Sequence, residues 1–358
     1  MKILLATSST GWSGGQHQVY LLARGLMQRG NTVYVITSHD SELGRRLGLE
    51  GIPVKYLRMN KEADIFSVIG IRKFLRNERF DVINVHRPTA HTILMLANIL
   101  STRRAKFFVT RRVPYGIPSR ISAKIKYEWF VDRIIAISSD VRQSLINTGV
   151  RKELIEIIPD AIDVDYFNNS KVTPVKELIN KGPIIGTVGN ANKQKGHGYF
   201  ISAIPYILKR YPDAFFVDVG VGEQDIELVE LANSLNVRDK ILFAGFKQDV
   251  RPYLKAMDVF VFPSIVEGLG TSLLEAMSMQ KPVVVSNTGG MVDIIAHEEN
   301  GIFVKPASAQ DIADAVVYLL DNPSHAKGLG EKARKTVEKN FSVSVVAEKT
   351  EELFKSVL

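Results

Sequence analysis

The chain has 358 residues, 45% hydrophobic and 23% charged, with a formal net charge of +8 and no cysteine. That length exceeds one ordinary core and that composition excludes a disordered chain, so two globular domains are expected. Disulfides and thiolate metal sites are excluded, and the longest apolar run, residues 93–100 with Asn98 inside it, falls far short of the ~18 residues of a membrane-spanning helix.

Residues 2–6 read as a buried first strand, because the apolar stretch is too short for a signal peptide. A glycine-containing loop at 11–15 follows, then a helix over 16–29 stopped by Gly30, then a strand at 32–37. Further β-branched runs at 81–85, 106–110 and 133–137 read as strands. An aperiodic linker spans 159–174, after which the pattern restarts. Its second half predicts a strand at 183–188, a loop at 189–196, a helix to about 210, and strands at 214–219, 240–243, 259–262 and 282–285. Strands alternating with helices imply parallel pairing, so the expected fold is α/β, with two Rossmann-like doubly wound domains. The expected bounds are 1–170 and 171–342. Ligands of such sheets bind beyond the carboxyl ends of the strands, which predicts a cleft between the domains.

The charge is unevenly placed. Residues 1–170 hold 25 Lys/Arg against 15 Asp/Glu, a balance of +10, and the remainder carries −2. Residues 101–127 contain Arg103, Arg104, Lys106, Arg111, Arg112, Arg120, Lys124 and Lys126 without a single acid. Such a strip attracts anionic partners, and the bland alternative is a solvated lysine-rich face. Arg72, Lys73, Arg76 and Arg79, on the preceding predicted helix, extend it.

The stretch from Pro263 to Ser278 carries the most chemistry. A buried strand runs into a glycine loop, and a helix begins at about Thr271. Glu267 lies in the loop, and Glu275 lies one turn into the helix. Free N–H groups at a helix start form an anion site suited to a pyrophosphate. Gly268 and Gly270 let the backbone approach a ligand. A carboxylate beside such a site can accept two hydrogen bonds from a vicinal diol. Taken singly, the two glutamates could instead be a cap and a surface acid.

This stretch resembles the signature of the retaining glycosyltransferases of family 4, which have the GT-B fold and include bacterial cell-envelope and lipopolysaccharide enzymes. Other positions agree in order: Gly14-Gly15, the strand leading to His86-Arg-Pro88, Val131 to Ser138, Gly245, Met257 to Ser264, Gly289-Gly290 and Asn300-Gly301. The resemblance implies a nucleotide-diphosphate sugar donor (UDP-, GDP- or ADP-sugar) and no cofactor or metal. It implies that Glu275 binds the ribose, and that Glu267 with Gly268, Leu269, Gly270 and Thr271 holds the sugar and phosphates. Lys195 would contact the pyrophosphate, with Asn190 and Lys193 in the same loop. Gly14 and Gly15 would line the cleft from the first domain, and His86 would sit near the sugar and the attacking oxygen. On these matches the catalytic set is His86, Glu267 and Lys195. The last helix, 343–358, would return to the first domain through Val346, Leu353 and Val357.

Two positions depart from the family pattern. Asn190 stands where an arginine is usual, and an amide cannot neutralise phosphate as a guanidinium does. Lys193 is the candidate substitute. Pro159-Asp-Ala-Ile-Asp163 replaces the usual Pro-Asn-Gly linker. Asp163-Val-Asp165 resembles a metal-binding Asp-x-Asp, but it sits in the linker and receives no metal role. The expected activity is glycosyl transfer with retention to an anionic or lipid-linked glycan. The expected location is cytoplasmic, with peripheral contact to the anionic inner face of the membrane. The rivals are a nucleotide-sugar epimerase of the same fold and a basic nucleic-acid-binding protein. Nucleic acid is disfavoured because few aromatic residues interleave with the basic ones.

Overall fold

Runs of Val, Ile and Phe form short parallel strands whose faces are covered by helices, so the central strands are buried almost throughout while the edge strands are partly exposed. The computed structural model describes the chain apart from residues 58–63, 103 and 115–119 and the side chains of 120–122, 125 and 171. Arg103 and the Arg120 side chain therefore lie outside the described residues. The chain divides into two units, Met1–Ala161 with Ser342–Leu358, and Ile162–Phe341.

In the first unit the strands are β1 (Lys2–Ala6), β2 (Thr32–Thr37), β3 (Val54–Tyr56), β4 (Val82–Val85), β5 (Lys106–Arg111), β6 (Arg133–Ala136) and β7 (Ile155–Ile157). They pair in parallel in the order β3-β2-β1-β4-β5-β6-β7. The helices are α1 (Gly14–Gln28), α2 (Glu42–Leu49), α3 (Ile65–Glu78), α4 (Pro88–Ile99), α5 (Arg120–Tyr127) and α6 (Ser139–Asn147). Helix α1 starts two residues before the expected Gln16, because Ser13 takes the N-cap position and its carbonyl accepts from Gln16 and His17.

The second unit repeats the plan. Its strands are β8 (Ile184–Val188), β9 (Phe215–Val219), β10 (Ile241–Gly245), β11 (Val259–Phe262), β12 (Val283–Ser286) and β13 (Ile302–Val304), in the order β10-β9-β8-β11-β12-β13. Its helices are α7 (His197–Arg210), α8 (Ile226–Ser234), α9 (Arg251–Ala256), α10 (Thr271–Ser278), α11 (Ala309–Asp321) and α12 (Pro323–Asn340). In each sheet the strand order reverses beside the first strand of the unit, between β1 and β4 and between β8 and β11. Those two reversals are where a doubly wound sheet opens a crevice for a ligand.

The division falls at residue 161, earlier than the expected 170. Residues 162–170 are tied into the second unit by Ile162 N–H donating to Phe341 O (2.8 Å), Ser278 Oγ donating to Phe167 O (3.1 Å), and Arg334 Nη1 donating to the same oxygen (3.1 Å). The last helix, α13 (Val343–Lys355), lies on α1 in the first unit. Val346 and Phe354 enter that core, the Phe354 ring meeting Phe108 edge-on at 4.6 Å. The helices approach closely at Gly25, where a Cβ would fall 2.7 Å from Ala347 Cβ. Glu351 accepts from Asn31 (3.0 Å) and Arg29 (2.7 Å), and these bonds, Asn31's foremost, hold its carboxyl down to about 2.

Candidate active site

The second unit brings its glycine-containing loops together at the β8/β11 reversal. After β8, Asn192 accepts from Gln194 N–H (3.0 Å), and this Asx turn winds residues 193–195 into one short helical turn. Gly196 follows with φ +71°, and a Cβ there would lie 2.0 Å from the Pro263 carbonyl oxygen. The loop after β11 is joined to it by Ile265 N–H donating to Gln194 O (2.7 Å). These constraints deliver the Lys195 ammonium onto the Glu267 carboxylate as a half-buried ion pair. The second Glu267 oxygen accepts from Gly268 N–H (3.2 Å), and its backbone carbonyl accepts from Gly290 N–H (3.2 Å). Only glycine fits at 289, where φ is +54° and a Cβ would come within 2.2 Å of the Glu267 carbonyl.

Gly270 (φ +85°) opens α10, and no side chain caps that helix. Its start is pinned to the sheet by Ser272 Oγ donating to Val188 O (3.0 Å). Leu269 is buried beneath the loop, while Thr271 is half-buried. Glu275 lies one turn further, half-buried, with no side-chain hydrogen bond among the described residues. Burial, and next the negative charge of Asp249, push its carboxyl up to about 8. Asp249 is itself held by Arg251 (2.7 Å). The result is a lysine and two carboxyls of contrasting character around an uncapped helix start, suited to a polyhydroxylated anion.

Asn190 is exposed on the same loop, and Lys193 turns away from it. The Lys193 ammonium is 88% exposed and meets Glu227 at 3.1 Å, a solvated pair of the kind that contributes little. It is thus not aimed where an arginine at 190 would act.

Sequence reasoning missed a buried pair behind this loop. His197 Nδ1 lies 2.8 Å from Asp218 Oδ2, and Nε2 lies 3.0 Å from the Asn190 carbonyl oxygen. Both ring nitrogens face oxygens, so the pair pulls the loop backbone inward. An aspartate inside the otherwise apolar β9 was the available signal.

In the first unit, Gly14 and Gly15 open α1, and a Cβ on Gly15 would touch nothing within 4 Å. His86 follows β4 and is buried, its backbone N–H donating to Ala6 O (2.9 Å). Its Nδ1 lies 3.0 Å from Arg112 Nη1, and Arg112 Nε donates to Asp160 Oδ1 (2.8 Å). Burial, and next the Arg112 charge, hold the His86 imidazole well below the usual histidine range. Gln18 clamps the residue beside Asp160, donating to Ala161 O (2.8 Å) and accepting from Ala161 N–H (2.7 Å).

Among its described residues the basic strip is not one surface. Lys106 and Arg111 sit at opposite ends of β5, roughly 16 Å apart at ~3.3 Å per residue. Lys106 pairs with Asp132 (3.3 Å), an acid outside the strip in sequence but beside it in space. Arg111 is buried, with Nε donating to Val113 O (3.0 Å), and Arg112 is taken up by Asp160. Arg104 and Lys124 are exposed and Lys126 is half-buried. Asp163 accepts from Tyr166 N–H (3.0 Å) in a local turn. Among the described residues no group of three His, Asp or Glu side chains could hold a metal, and no helix is long and apolar enough to cross a membrane.

Comparison with known proteins matches both halves. The family model for group 1 glycosyl transferases covers residues 169–336, and that for glycosyltransferase family 4 covers residues 12–166. An uncharacterized glycosyltransferase of Methanocaldococcus jannaschii is 38% identical, over 93% of this chain and 92% of its own. The UDP-Gal:alpha-D-GlcNAc-diphosphoundecaprenol alpha-1,3-galactosyltransferase of Escherichia coli is 26% identical, over 81% of this chain and 79% of its own. The solved structure of Anabaena HepE in complex with UDP shares the fold, with a TM-score of 0.85 at 20% identity, covering 99% of this chain and 100% of that one.

Proposed function

This chain belongs to the glycosyltransferases of group 1 and family 4, with the GT-B fold, and from that premise we propose that it moves a sugar from a uridine-diphosphate donor to a hydroxyl of a lipid-linked or envelope glycan, with retention. The observation that carries the reading is the Lys195–Glu267 clasp beside the uncapped start of α10, at the β8/β11 reversal. The UDP donors and complexes of the relatives support uridine, and the galactosyltransferase supports a lipid-diphosphate acceptor.

In this reading the donor ribose reaches Glu275, and the diphosphate lies against Lys195 and the amides of Gly268 to Thr271. Negative charge grows on the departing phosphate as the glycosidic bond breaks. A lysine and fixed amides oppose that charge where it develops, and they do so without a metal. Glu267 accepts from sugar hydroxyls while keeping Lys195 in place. By the family resemblance Gly14 and Gly15 would offer backbone, with open space where a Cβ on Gly15 would stand, and His86 would offer a hydrogen bond to the reacting sugar. With no carboxylate assigned as a covalent nucleophile, retention follows from attack on the face the phosphate leaves, the phosphate taking the acceptor proton.

The test is release of UDP from UDP-glucose, UDP-galactose and UDP-N-acetylglucosamine with a polyprenyl-diphosphate sugar as acceptor, with and without EDTA. The expected product keeps the donor's anomeric configuration, read from its anomeric proton coupling, at a rate EDTA does not change. An altered nucleotide sugar formed without any acceptor would instead establish epimerisation.

Acceptor delivery at an anionic membrane is supported by α3. Its first turns expose Ile65, Phe66 (86%) and Ile69, and Arg72, Lys73 and Arg76 continue the exposed side. Arg72 Nε donates to Leu100 O (2.7 Å), and Leu100 is exposed at the end of α4. Apolar anchors combined with basic residues suit the surface of an anionic bilayer. Phosphatidylglycerol vesicles should sediment the protein at low salt and phosphatidylcholine vesicles should not. Phe66→Glu should weaken that binding about tenfold or more, near the cost of leaving one aromatic side chain outside the bilayer. Binding indifferent to salt and to Phe66 would remove this part of the reading.

A further inference from the structure

We propose that Arg112, held by Asp160, is a positioning residue that locks His86 in the tautomer protonated at Nε2. His86 is thereby a fixed hydrogen-bond donor to the sugar rather than an acid or a base. The inference rests on the placement of His86 at the reacting sugar given above.

The argument begins with proton counting. A guanidinium carries five N–H donors and no acceptor, and it does not deprotonate in proteins. Arg112 Nη1 lies 3.0 Å from His86 Nδ1, so Nδ1 must present its lone pair. A neutral imidazole has one ring proton, which is then on Nε2. A second proton on Nδ1 would set two cationic groups against each other in a buried place, and the depressed basicity of His86 agrees with that geometry. Arg112 is the charged group bearing on His86 among the described residues, and Asp160 lies on its far side.

The arginine is itself fixed. Its Nε is bound by the buried Asp160 carboxylate (2.8 Å), and the backbone beside Asp160 is clamped twice by Gln18 of α1. His86, Arg112 and Asp160 leave the carboxyl ends of β4, β5 and β7, so the relay crosses the ligand-binding end of the sheet. Along that relay Asp160 orients Arg112, Arg112 sets the proton of His86, and His86 Nε2 is left buried without a partner among the described residues. In the proposed function a sugar hydroxyl oxygen is the acceptor that this N–H lacks. The relay explains two features that the donor chemistry leaves idle. One is an arginine of the basic strip that faces inward, and the other is the buried linker aspartate that holds it.

The experiment uses the full chain with 15N-labelled histidine and reads two-bond 15N–1H correlations from pH 5.5 to 8. His86 is assigned by loss of its signals in His86→Gln. The expected spectrum shows His86 neutral, protonated at Nε2 and not titrating. Arg112→Met combined with Asp160→Asn avoids an orphaned charge and should fold. In that variant His86 should mix tautomers and titrate nearer its ordinary value of ~6.5. The kcat should fall up to about 10²-fold through misplacement of the donor, with donor KM little changed and a new pH dependence. Asp160→Asn alone, which keeps an acceptor for Arg112, should retain the wild-type tautomer. A proton on Nδ1 in the wild type, or a tautomer unchanged in the double variant, overturns the lock. A lock that is lost in the double variant while kcat and its pH profile stay the same overturns the positioning role. Transfer activity in the wild type tests the glycosyltransferase reading separately from the spectra.

Discussion

Glu275→Gln is expected to lower UDP affinity by about 10²-fold or more while making the unliganded protein more stable at alkaline pH. The affinity term follows from hydrogen bonds between ribose hydroxyls and a carboxylate, each contributing about 1.5–3 kcal/mol. The stability term follows from where the proton sits. The folded carboxyl has its value pushed up to about 8 from an ordinary 4.5, so between those values the folded state binds more proton than the unfolded state. Stability therefore falls as pH rises through that window, by about 1.4 kcal/mol for each pH unit at most. Glutamine removes this dependence. The variant and the wild type should melt alike at pH 5, and the variant should melt higher at pH 9. Ribose hydroxyls favour the ionised carboxylate, so wild-type UDP affinity should rise from pH 6 to 8, and the variant's should stay flat. Titration calorimetry with UDP at several pH values, beside thermal denaturation, checks both. Equal UDP affinity in the two proteins would remove Glu275 from the donor site.

Lys195→Ala should reduce kcat by about 10²–10³-fold, the usual cost of removing one group that meets developing charge. The lysine also meets phosphate in the ground state, so donor KM should rise as well. Glu267→Gln separates the two halves of the clasp. It frees Lys195 from its ion pair, so affinity for UDP alone should hold or increase. Transfer should nonetheless fall, because the carboxylate no longer holds the sugar or aims the lysine. Steady-state kcat and KM for both variants, with UDP inhibition constants, read this pattern. A Lys195→Ala enzyme with undiminished kcat would show that another group carries the charge.

The strands that carry the site were legible because each is a buried run bordered by glycine or a polar turn, as at 2–6, 259–262 and 282–285. Strands β3, β7 and β13 escaped because three residues are too few to show a period, and only pairing at a sheet edge makes them strands. The motifs implied that Lys195 and Glu267 serve one site, but their ion pair and its support at Gly196 and Gly289 are matters of backbone approach that no linear pattern displays. Counting charges along the chain draws one basic strip, but it cannot show the direction of β5, which sends Lys106 and Arg111 to opposite ends of the sheet. Arg112 and Asp160 are far apart in sequence and individually unremarkable, so their pairing required the fold. The contact of His197 with Asp218 likewise required the fold, which brings the start of α7 onto β9, although the lone aspartate in that strand was a signal.

The central claim, that the β8/β11 crevice binds a nucleotide diphosphate as the handle of a sugar donor, is tested most directly by thermal denaturation of the wild-type protein with UDP, GDP and ADP. The account predicts a saturable rise in melting temperature with UDP, growing as RT ln(1 + [L]/Kd), and a smaller one or none with the purine nucleotides. No response to any of the three, at concentrations where the fold is intact, would contradict it.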